Sequence, residues 1–260
     1  GDSAFSDEVF NGTFDGNGYN ITGLVIDRPS KQRVGLFGET GDGAKISNVS
    51  LFDISVVGDR TVGGLVGLSG SGSISKTSVT GNVTAAGRVG GLIGSNNAAV
   101  QQSVANTEIN TTGFNAGGLI GFNNGPVSES YAIGSVTGQT NVGGLIGSNS
   151  ADQIIESYAA IEVSGNENVG GIVGRNDGTI STSYFNSDET EQNEGVGKGD
   201  TGGVESLSAD EMTGPVAETN MAGFEFGSIW ETQPDDYPTL IAVSLGTGSN
   251  EDDSGQSSTT

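Results

Sequence analysis

Val62-Gly63-Gly64-Leu65-Val66-Gly67 decides the fold of this chain, because the same phrase returns along the sequence. Versions of the phrase begin at Val89, Ala116, Val142 and Val169, and a shortened version begins at Val34. Successive versions begin 26 to 28 residues apart. A steady period of this size indicates a repeat architecture in which each unit packs on the next one.

Apolar residues form two columns when the repeats are aligned on the phrase. One column holds Leu36, Leu65, Leu92, Leu119, Leu145 and Ile172, and its neighbour holds Phe37, Val66, Ile93, Ile120, Ile146 and Val173. Other apolar residues fall in short runs bounded by Gly, Asn and Ser, which favour strands over helices. We therefore predict an all-β fold, a right-handed parallel β-helix (β-solenoid) with one coil per repeat and a small C-terminal capping segment. A β-propeller is disfavoured, because each blade needs about 40 residues.

Asparagine and glycine form further columns. Asn96, Asn123, Asn149 and Asn176 follow the last glycine of a phrase by two residues, and Asn115, Asn141 and Asn168 lie just before a phrase. Stacked amides can hydrogen-bond from coil to coil, and asparagine tolerates the left-handed backbone of a tight corner. Glycine is expected where φ is positive or where coils approach too closely for a Cβ atom.

The phrase, the asparagine after it, and Ser-Tyr-Ala at 130–132 and 157–159 together resemble the GLUG motif. The resemblance covers about residues 34–184, while 14–19 is similar to the lead-in coil of such proteins and 221–238 is similar to their closing segment. It implies a secreted or cell-surface β-helical protein, of the kind found among adhesin-like proteins, protease accessory regions and haloarchaeal surface proteins. It implies no conserved chemistry, and it implies a further segment before Gly1.

Composition divides the chain into four parts. Residues 1–33 are expected to form a degenerate, truncated first coil, and residues 34–184 are expected to form six repeats of the solenoid. Residues 185–245 hold an acidic loop and a C-terminal cap, in which Ser208 and Glu211 form a capping box at the start of a short helix. Bulky residues of this part are expected to close the open end of the solenoid; these are Phe224, Phe226, Trp230, Tyr237 and Leu240. Residues 246–260 have the composition of a disordered acidic Ser/Thr linker.

The charge balance narrows the class of partner. The net charge is −23, with 32 acidic and 9 basic residues. Such a chain should repel nucleic acid and anionic membranes, and no apolar run approaches the ~18 residues that a membrane span needs. Few lysines and many acidic residues are typical of a protein that stays soluble at high salt, which predicts a halophilic source. Cysteine and histidine are absent, which excludes disulfides, the usual zinc sites and catalysis by Ser-His-Asp or Cys-His groups.

Two sets of residues could bind an ion or carry a modification. Asp15, Asp188, Glu189 and Glu191 lie in loop contexts that could ligate calcium, although none completes a calcium-loop signature. No other cofactor is expected. Five sequons could carry N-linked glycans in a secreted protein, or could arise by chance in a sequence rich in Asn and Thr. The sequons are at Asn11, Asn20, Asn48, Asn82 and Asn110.

Glu129 and Glu156 are the candidates for catalysis. They share a column on neighbouring coils, which places them about 5 Å apart, near the carboxylate separation of retaining glycosidases. The same column holds Asn48, Lys76, Gln102 and Thr182, which is typical of a solvated face. We therefore predict a non-enzymatic extracellular module that acts as a structural spacer or an adhesion surface. Its expected partner is a cell-surface or extracellular protein or glycan, with self-association left open. The alternatives are a carbohydrate-active β-helix enzyme and a calcium-dependent surface-layer module.

Overall fold

The computed structural model describes residues 9–150 and 153–245, and in it the chain forms a β-solenoid of about seven turns. The prediction of an all-β solenoid is therefore confirmed. Three parallel sheets run along the solenoid axis, and they contain fourteen, six and seven strands. The predicted linker at 246–260 lies outside the described residues, as does the beginning of the predicted first coil.

The three sheets have the following strands. The broad sheet contains Thr13–Asp15, Asn20–Thr22, Val25–Asp27, Ala44–Val57, Gly72–Ala85, Ala99–Gln101, Val104–Thr111, Val127–Ser128, Tyr131–Thr137, Gln153–Ile155, Tyr158–Ser164, Thr179–Ser181, Ser183–Asn186 and Val204–Leu207. The six-stranded sheet contains Arg33–Val34, Thr61–Gly63, Arg88–Gly90, Phe114–Gly117, Thr140–Gly143 and Glu167–Gly170. The seven-stranded sheet contains Phe37–Thr40, Val66–Ser69, Ile93–Asn96, Ile120–Asn123, Ile146–Asn149, Val173–Asn176 and Val196–Gly199.

The remaining elements belong to the C-terminal part of the chain. An antiparallel hairpin joins Trp230–Gln233 to Asp236–Leu240. Ser187–Thr190, Ala209–Met212 and Ala217–Asn220 are short α-helices, and Gly214–Val216 is a 3-10 helix. Helix Ala209–Met212 begins at the predicted capping box of Ser208 and Glu211.

The repeated phrase carries the chain from the six-stranded sheet into the seven-stranded sheet. Neighbouring coils pair in the predicted register, as Val62 does with Val89 and Ile93 does with Ile120. The column from Leu65 to Ile172 is fully buried. Because each coil places an equivalent side chain at the same position, the apolar columns merge into one continuous core.

Close packing of the coils explains why the phrase contains glycine. A Cβ atom at Gly118 would lie 2.1 Å from the carbonyl oxygen of Gly144 and 2.7 Å from the Cβ atom of Ala132. No side chain fits at these distances. Gly144 is equally constrained by the coil above it, since its Cβ atom would lie 2.1 Å from the carbonyl oxygen of Gly171.

The asparagines after the phrase form a buried hydrogen-bonded ladder, as predicted. The Nδ2 atoms of Asn96, Asn123 and Asn149 each donate to the Oδ1 atom of the asparagine in the next coil, at 2.9 Å in every case. Asn123 also donates to the carbonyl oxygen of Gly125 at 2.6 Å and thereby holds the turn that follows the strand. The ladder satisfies buried polar groups while it fixes the register of the coils.

The asparagines before the phrase form a second ladder at a left-handed corner. Asn115, Asn141 and Asn168 have φ angles between 53° and 59°, as the prediction for tight corners requires. Asn141 donates to Asn115 at 2.8 Å, and Asn168 donates to Asn141 at 2.7 Å.

A third column of left-handed residues bends each coil within the broad sheet. Its members have φ angles between 48° and 54° and are Asn48, Lys76, Gln102, Glu129, Glu156 and Thr182. This is the column that the sequence identified only as a solvated face. A non-glycine residue in this conformation costs about 1–2 kcal/mol, and after Asn48 the register of the stacked coils imposes it on residues with no preference for it.

The C-terminal end of the solenoid is covered by a last, shorter coil. Val196–Gly199 and Val204–Leu207 add strands to the seven-stranded and broad sheets. Phe185 occupies an inward column in which the preceding coils carry Ala132 and Ala159, and it is 2% exposed. Its ring therefore fills the interior at the end of the stack.

The five bulky residues predicted to close that end pack at a different place, and that detail of the prediction was wrong. They belong to a separate apolar cluster on the outer face of the broad sheet. This face carries the column Ser50, Ser78, Val104, Tyr131, Tyr158 and Tyr184. The tyrosines form an apolar strip on the side of the rod, and the bulky residues cover that strip because it is otherwise exposed to solvent.

We call residues 209–245 the strap, because they run along the outside of the coils. The ring centroid of Trp230 lies 5.9 Å from that of Tyr131 and 5.6 Å from that of Tyr158. The Tyr158 hydroxyl donates to the carbonyl oxygen of Pro238 at 2.6 Å. Towards the first coils, the Ser78 hydroxyl donates to the carbonyl oxygen of Ser244 at 2.8 Å. The strap therefore ties together coils that are distant from one another along the axis.

Candidate functional site

A groove lined by arginines lies on the first four coils, beside the six-stranded sheet. Its lining includes Arg33, Arg60 and Arg88, with Phe114 on the fourth coil, and its volume is about 640 Å³. Arg33 and Arg88 pair in register with Thr61 from either side, so these three residues occupy one column on three adjacent strands. We call this feature the arginine groove.

The arginine groove coincides with a break in the second asparagine ladder. The column that holds Asn115, Asn141 and Asn168 in the later coils holds Arg33, Thr61 and Arg88 in the first three. The later residues have positive φ angles and the three earlier ones do not. The residue type and the backbone conformation change at the same point, so the first and third coils present arginine side chains where later coils present a closed amide corner.

These arginines were not predicted, although their signal is present in the sequence. The asparagine before each later phrase is replaced by Arg33, Thr61 and Arg88 in the earlier repeats. Arg33 and Arg88 each stand just before a phrase, and Arg60 stands two residues before another. A column that changes residue type part-way along a repeat array is a sign of a local function.

The three arginines differ in their contacts. Arg33 forms an ion pair with Glu39, and the Nε atom of Arg60 is 4.0 Å from a carboxylate oxygen of Asp59. The guanidinium carbon of Arg88 lies 4.6 Å from the ring centroid of Phe122 and 5.9 Å from that of Phe114. The Nε atom of Arg88 is buried and has no hydrogen-bond partner in the part of the chain that the structure describes. Such a donor costs about 1–3 kcal/mol, so Arg88 is held by the aromatic rings at the expense of unused hydrogen-bonding capacity.

The arginine groove concentrates positive charge on an acidic molecule. A neighbouring hollow of about 290 Å³ shares Arg33 and is also lined by Arg28 and Lys31. Five of the 9 basic residues therefore line the two hollows, and Asp59 is the acidic residue in their lining. A cationic surface of this kind attracts anions, in contrast to the rest of a chain with net charge −23.

The predicted pair of glutamates occupies a shared column, as the register of the flanking residues shows. The Oε2 atom of Glu129 accepts hydrogen bonds from Gln101 at 3.1 Å and from Gln102 at 2.8 Å. The pKa of Glu156 is raised, first by burial and then by the charges of Glu129 and Glu225. The sequence had indicated that this face is solvated. Because Glu225 belongs to the strap, the face is in fact partly covered.

The calcium candidates lie at opposite ends of the solenoid. Asp15, in the first coil, accepts hydrogen bonds from Asn48 and from the backbone of Asn17, which lower its pKa. Asp188 lies near the last coil and accepts a hydrogen bond from the backbone of Ala209 at 2.9 Å. Glu189 and Glu191 are exposed beside it. Across residues 9–150 and 153–245, no group of three or more acidic side chains is placed to hold a metal ion, and calcium stays a prediction.

The five sequons differ in exposure. Asn11, Asn82 and Asn110 are exposed, whereas Asn20 and Asn48 are half-buried. The Nδ2 atom of Asn48, to which a glycan would be attached, donates to Asp15 at 2.9 Å. Attachment of a glycan at Asn48 would disturb this hydrogen bond, so the three exposed asparagines are the more accessible acceptors.

Comparison with known proteins supplies one relative and one similar fold. Halomucin from Haloquadratum walsbyi is 50% identical over 72 residues, which are 28% of this chain and 1% of halomucin. The crystal structure of "a putative immunoglobulin A1 protease from Bacteroides ovatus" superposes with a TM-score of 0.64 at 21% identity, over 88% of this chain and 77% of that one. At this identity the likeness shows the fold alone.

No protein-family model matches the chain. Within the described residues, none of the helices has the length and apolar character required to cross a membrane.

Proposed function

We propose that this chain is a non-enzymatic module of a secreted or cell-surface protein, in which the solenoid is a rigid spacer and its outer face is an adhesion surface. The observation that carries the proposal is the unbroken stack of coils, tied along its side by the strap. The similarity to part of halomucin supports a place in a large haloarchaeal surface protein. We also propose that the chain is a GLUG-type repeat protein from a halophilic source. The exposed sequons carry glycans in this proposal.

The contacts between coils support stiffness. Parallel sheets on three sides connect each coil to the next, and two amide ladders reinforce the later coils, so bending the rod would lengthen hydrogen bonds at every level. Seven coils at the ~4.8 Å spacing of paired strands give a rod about 30 Å long. A rod of fixed length is suited to hold the parts of a surface protein at a constant separation.

The spacer part of the proposal is tested by small-angle X-ray scattering on the intact chain. We expect the cross-section and length of the rod to stay constant from moderate to molar salt. A scattering curve typical of a flexible chain under these conditions would refute the spacer.

The adhesion part is tested by binding. The immobilised chain is incubated with extracellular polysaccharides and solubilised cell-surface proteins, and the control is the same chain unfolded in urea. Recovery of a ligand by the folded chain and not by the unfolded chain supports adhesion. No recovery by either would leave the spacer as the sole function of this proposal.

A carbohydrate-active enzyme is a second candidate, because the raised pKa of Glu156 beside Glu129 is the environment that a general acid needs. The test compares polysaccharide cleavage by the native chain, by the double variant Glu129→Gln/Glu156→Gln, and by Glu162→Gln, which changes an exposed glutamate on the same coil. Cleavage that is lost in the double variant alone would establish the enzyme and overturn the non-enzymatic proposal. No cleavage by the native chain would remove this candidate.

A further inference from the structure

We propose that the arginine groove binds the carboxylate or sulfate groups of an anionic polysaccharide. This proposal rests on the adhesion part of the proposed function and deepens it, because it names the place of binding and the chemistry of the ligand.

The arginine groove offers charged hydrogen-bond donors. The arginine groove contains three arginines and no lysine. The planar guanidinium group of arginine donates two parallel hydrogen bonds to a carboxylate or a sulfate. The side chain of Arg60 is 70% exposed and its contact with Asp59 is at the limit of an ion pair. Arg88 takes part in none of the ion pairs of the described residues. Two of the three arginines therefore keep donors for an external anion.

The arginine groove is elongated along the solenoid axis. Arg33 and Arg88 are separated by two strand spacings, which is about 9.6 Å along the axis. The lining continues from Gln32 in the first coil to Phe114 in the fourth. An extended ligand that runs along the axis would therefore meet charged groups at intervals.

Apolar and neutral polar side chains lie between the arginines of the groove. Phe114 is 51% exposed and offers a flat apolar surface, on which the C–H face of a sugar ring can pack. Gln32 and Thr61 offer hydrogen-bond donors and acceptors to sugar hydroxyls. Apolar, neutral polar and cationic groups in one open groove match a charged sugar polymer.

A nucleic acid matches the groove less well. Double-stranded DNA carries one charge per ~1.7 Å, and a chain of net charge −23 would repel such a dense polyanion at long range. A polysaccharide with one charge on every sugar or every second sugar carries fewer charges over the same length. At molar salt the screening length is about 3 Å, so direct contacts by arginine would supply the attraction.

The test is a titration of the intact chain with four polymers at moderate and at molar salt. Dextran sulfate carries sulfates, carboxymethyl dextran carries carboxylates, dextran is neutral, and polyglutamate is an acidic peptide. We expect the first two to bind and the last two to bind at least about tenfold more weakly, because dextran has no charge and polyglutamate has no sugar ring to pack on Phe114. The two charged dextrans share one backbone, so their relative affinities distinguish a sulfated ligand from a carboxylated one.

Three variants assign the binding to the groove. Arg60→Gln/Arg88→Gln should lower the affinity for the preferred polymer by about tenfold or more, and Arg60→Gln alone should lower it about threefold to tenfold without risk to folding, since that side chain is exposed. Phe114→Ala should lower it about threefold to tenfold. The matched control is Arg175→Gln, which removes the same charge from an exposed arginine outside the groove and should leave the affinity unchanged.

Several results would overturn the proposal. These are equal losses in Arg175→Gln and in the groove variants, unchanged affinity in the double variant, and polyglutamate binding as tightly as the charged polysaccharides. If these polymers fail to bind while another surface ligand is recovered specifically, the groove assignment is wrong and adhesion stands. If neither these polymers nor any other surface ligand binds, the groove assignment and the adhesion proposal are both wrong.

Discussion

Replacing Asn123 by alanine tests whether the buried amide ladder holds the coils together. Asn123 is fully buried, and its side chain accepts a hydrogen bond from Asn96 and donates to Asn149 and to the carbonyl oxygen of Gly125, at 2.9, 2.9 and 2.6 Å. Each such bond contributes about 0.5–1.5 kcal/mol net, and a buried partner left unsatisfied costs about 1–3 kcal/mol. We therefore expect Asn123→Ala to lower the free energy of unfolding by about 3–5 kcal/mol.

The neighbouring residue provides a matched control. Asn124 is exposed, and its side chain makes one long hydrogen bond, 3.3 Å to Asn97. Asn124→Ala should therefore change the free energy of unfolding by no more than about 0.5 kcal/mol. The two variants remove the same chemical group from adjacent positions, so a difference between them reflects burial and the ladder alone.

The measurement is urea unfolding of both variants and the native chain at molar salt, followed by circular dichroism and by the fluorescence of Trp230. Coincident transitions by the two probes are required before free energies are compared. Equal costs at the two positions, or a cost below about 1 kcal/mol at Asn123, would refute the reasoning that the ladder is a major stabilising element.

Four further predictions follow from the packing and the charges. Leu119→Ala should cost about 2–5 kcal/mol because Leu119 is fully buried between coils, whereas Glu162→Ala, at an exposed strand position, should stay within about 0.5 kcal/mol. Urea titration compares the two variants, and equal costs would contradict the stacking. Tyr158→Phe should lower the free energy of unfolding by about 1–3 kcal/mol, because it removes the buried hydrogen bond to the strap. Tyr19→Phe, at a residue that is 73% exposed, should cause no measurable loss. Similar losses of stability in the two variants would argue against a fixed strap. Because the folded-state pKa of Glu156 is raised, stability should increase as pH falls from neutral through that pKa. Glu156→Gln should therefore melt at a higher temperature than the native chain at neutral pH, and this difference should shrink on acidification. A difference that does not depend on pH would contradict the prediction. The melting temperature should rise as potassium chloride increases from low to molar concentration, because screening weakens the repulsion within a chain of net charge −23. If millimolar calcium raises the melting temperature and potassium chloride does not, specific calcium sites are favoured instead.

The sequence by itself determined the solenoid. In a stack with one coil per repeat, each residue has its own counterpart as its neighbour above and below, so the period and the residue columns contain the long-range contacts. The leucine column and the asparagine column could therefore be read as a core and a ladder before any coordinates, as Leu119 and Asn123 show.

The tertiary structure decided the features that do not follow the period. The strap is not a repeat, and the sequence shows that Trp230 needs burial without showing which surface it covers. That surface is the tyrosine strip on the outer face of the broad sheet, to which Tyr131 and Tyr158 contribute from different coils. The left-handed conformation of Glu129 is likewise imposed by the stacked corner, since glutamate has no preference for it. Arg33 and Arg88 are far apart in sequence, and only the strand register brings them to the two sides of Thr61. These residues, which differ from the asparagine of the later repeats, therefore line one groove.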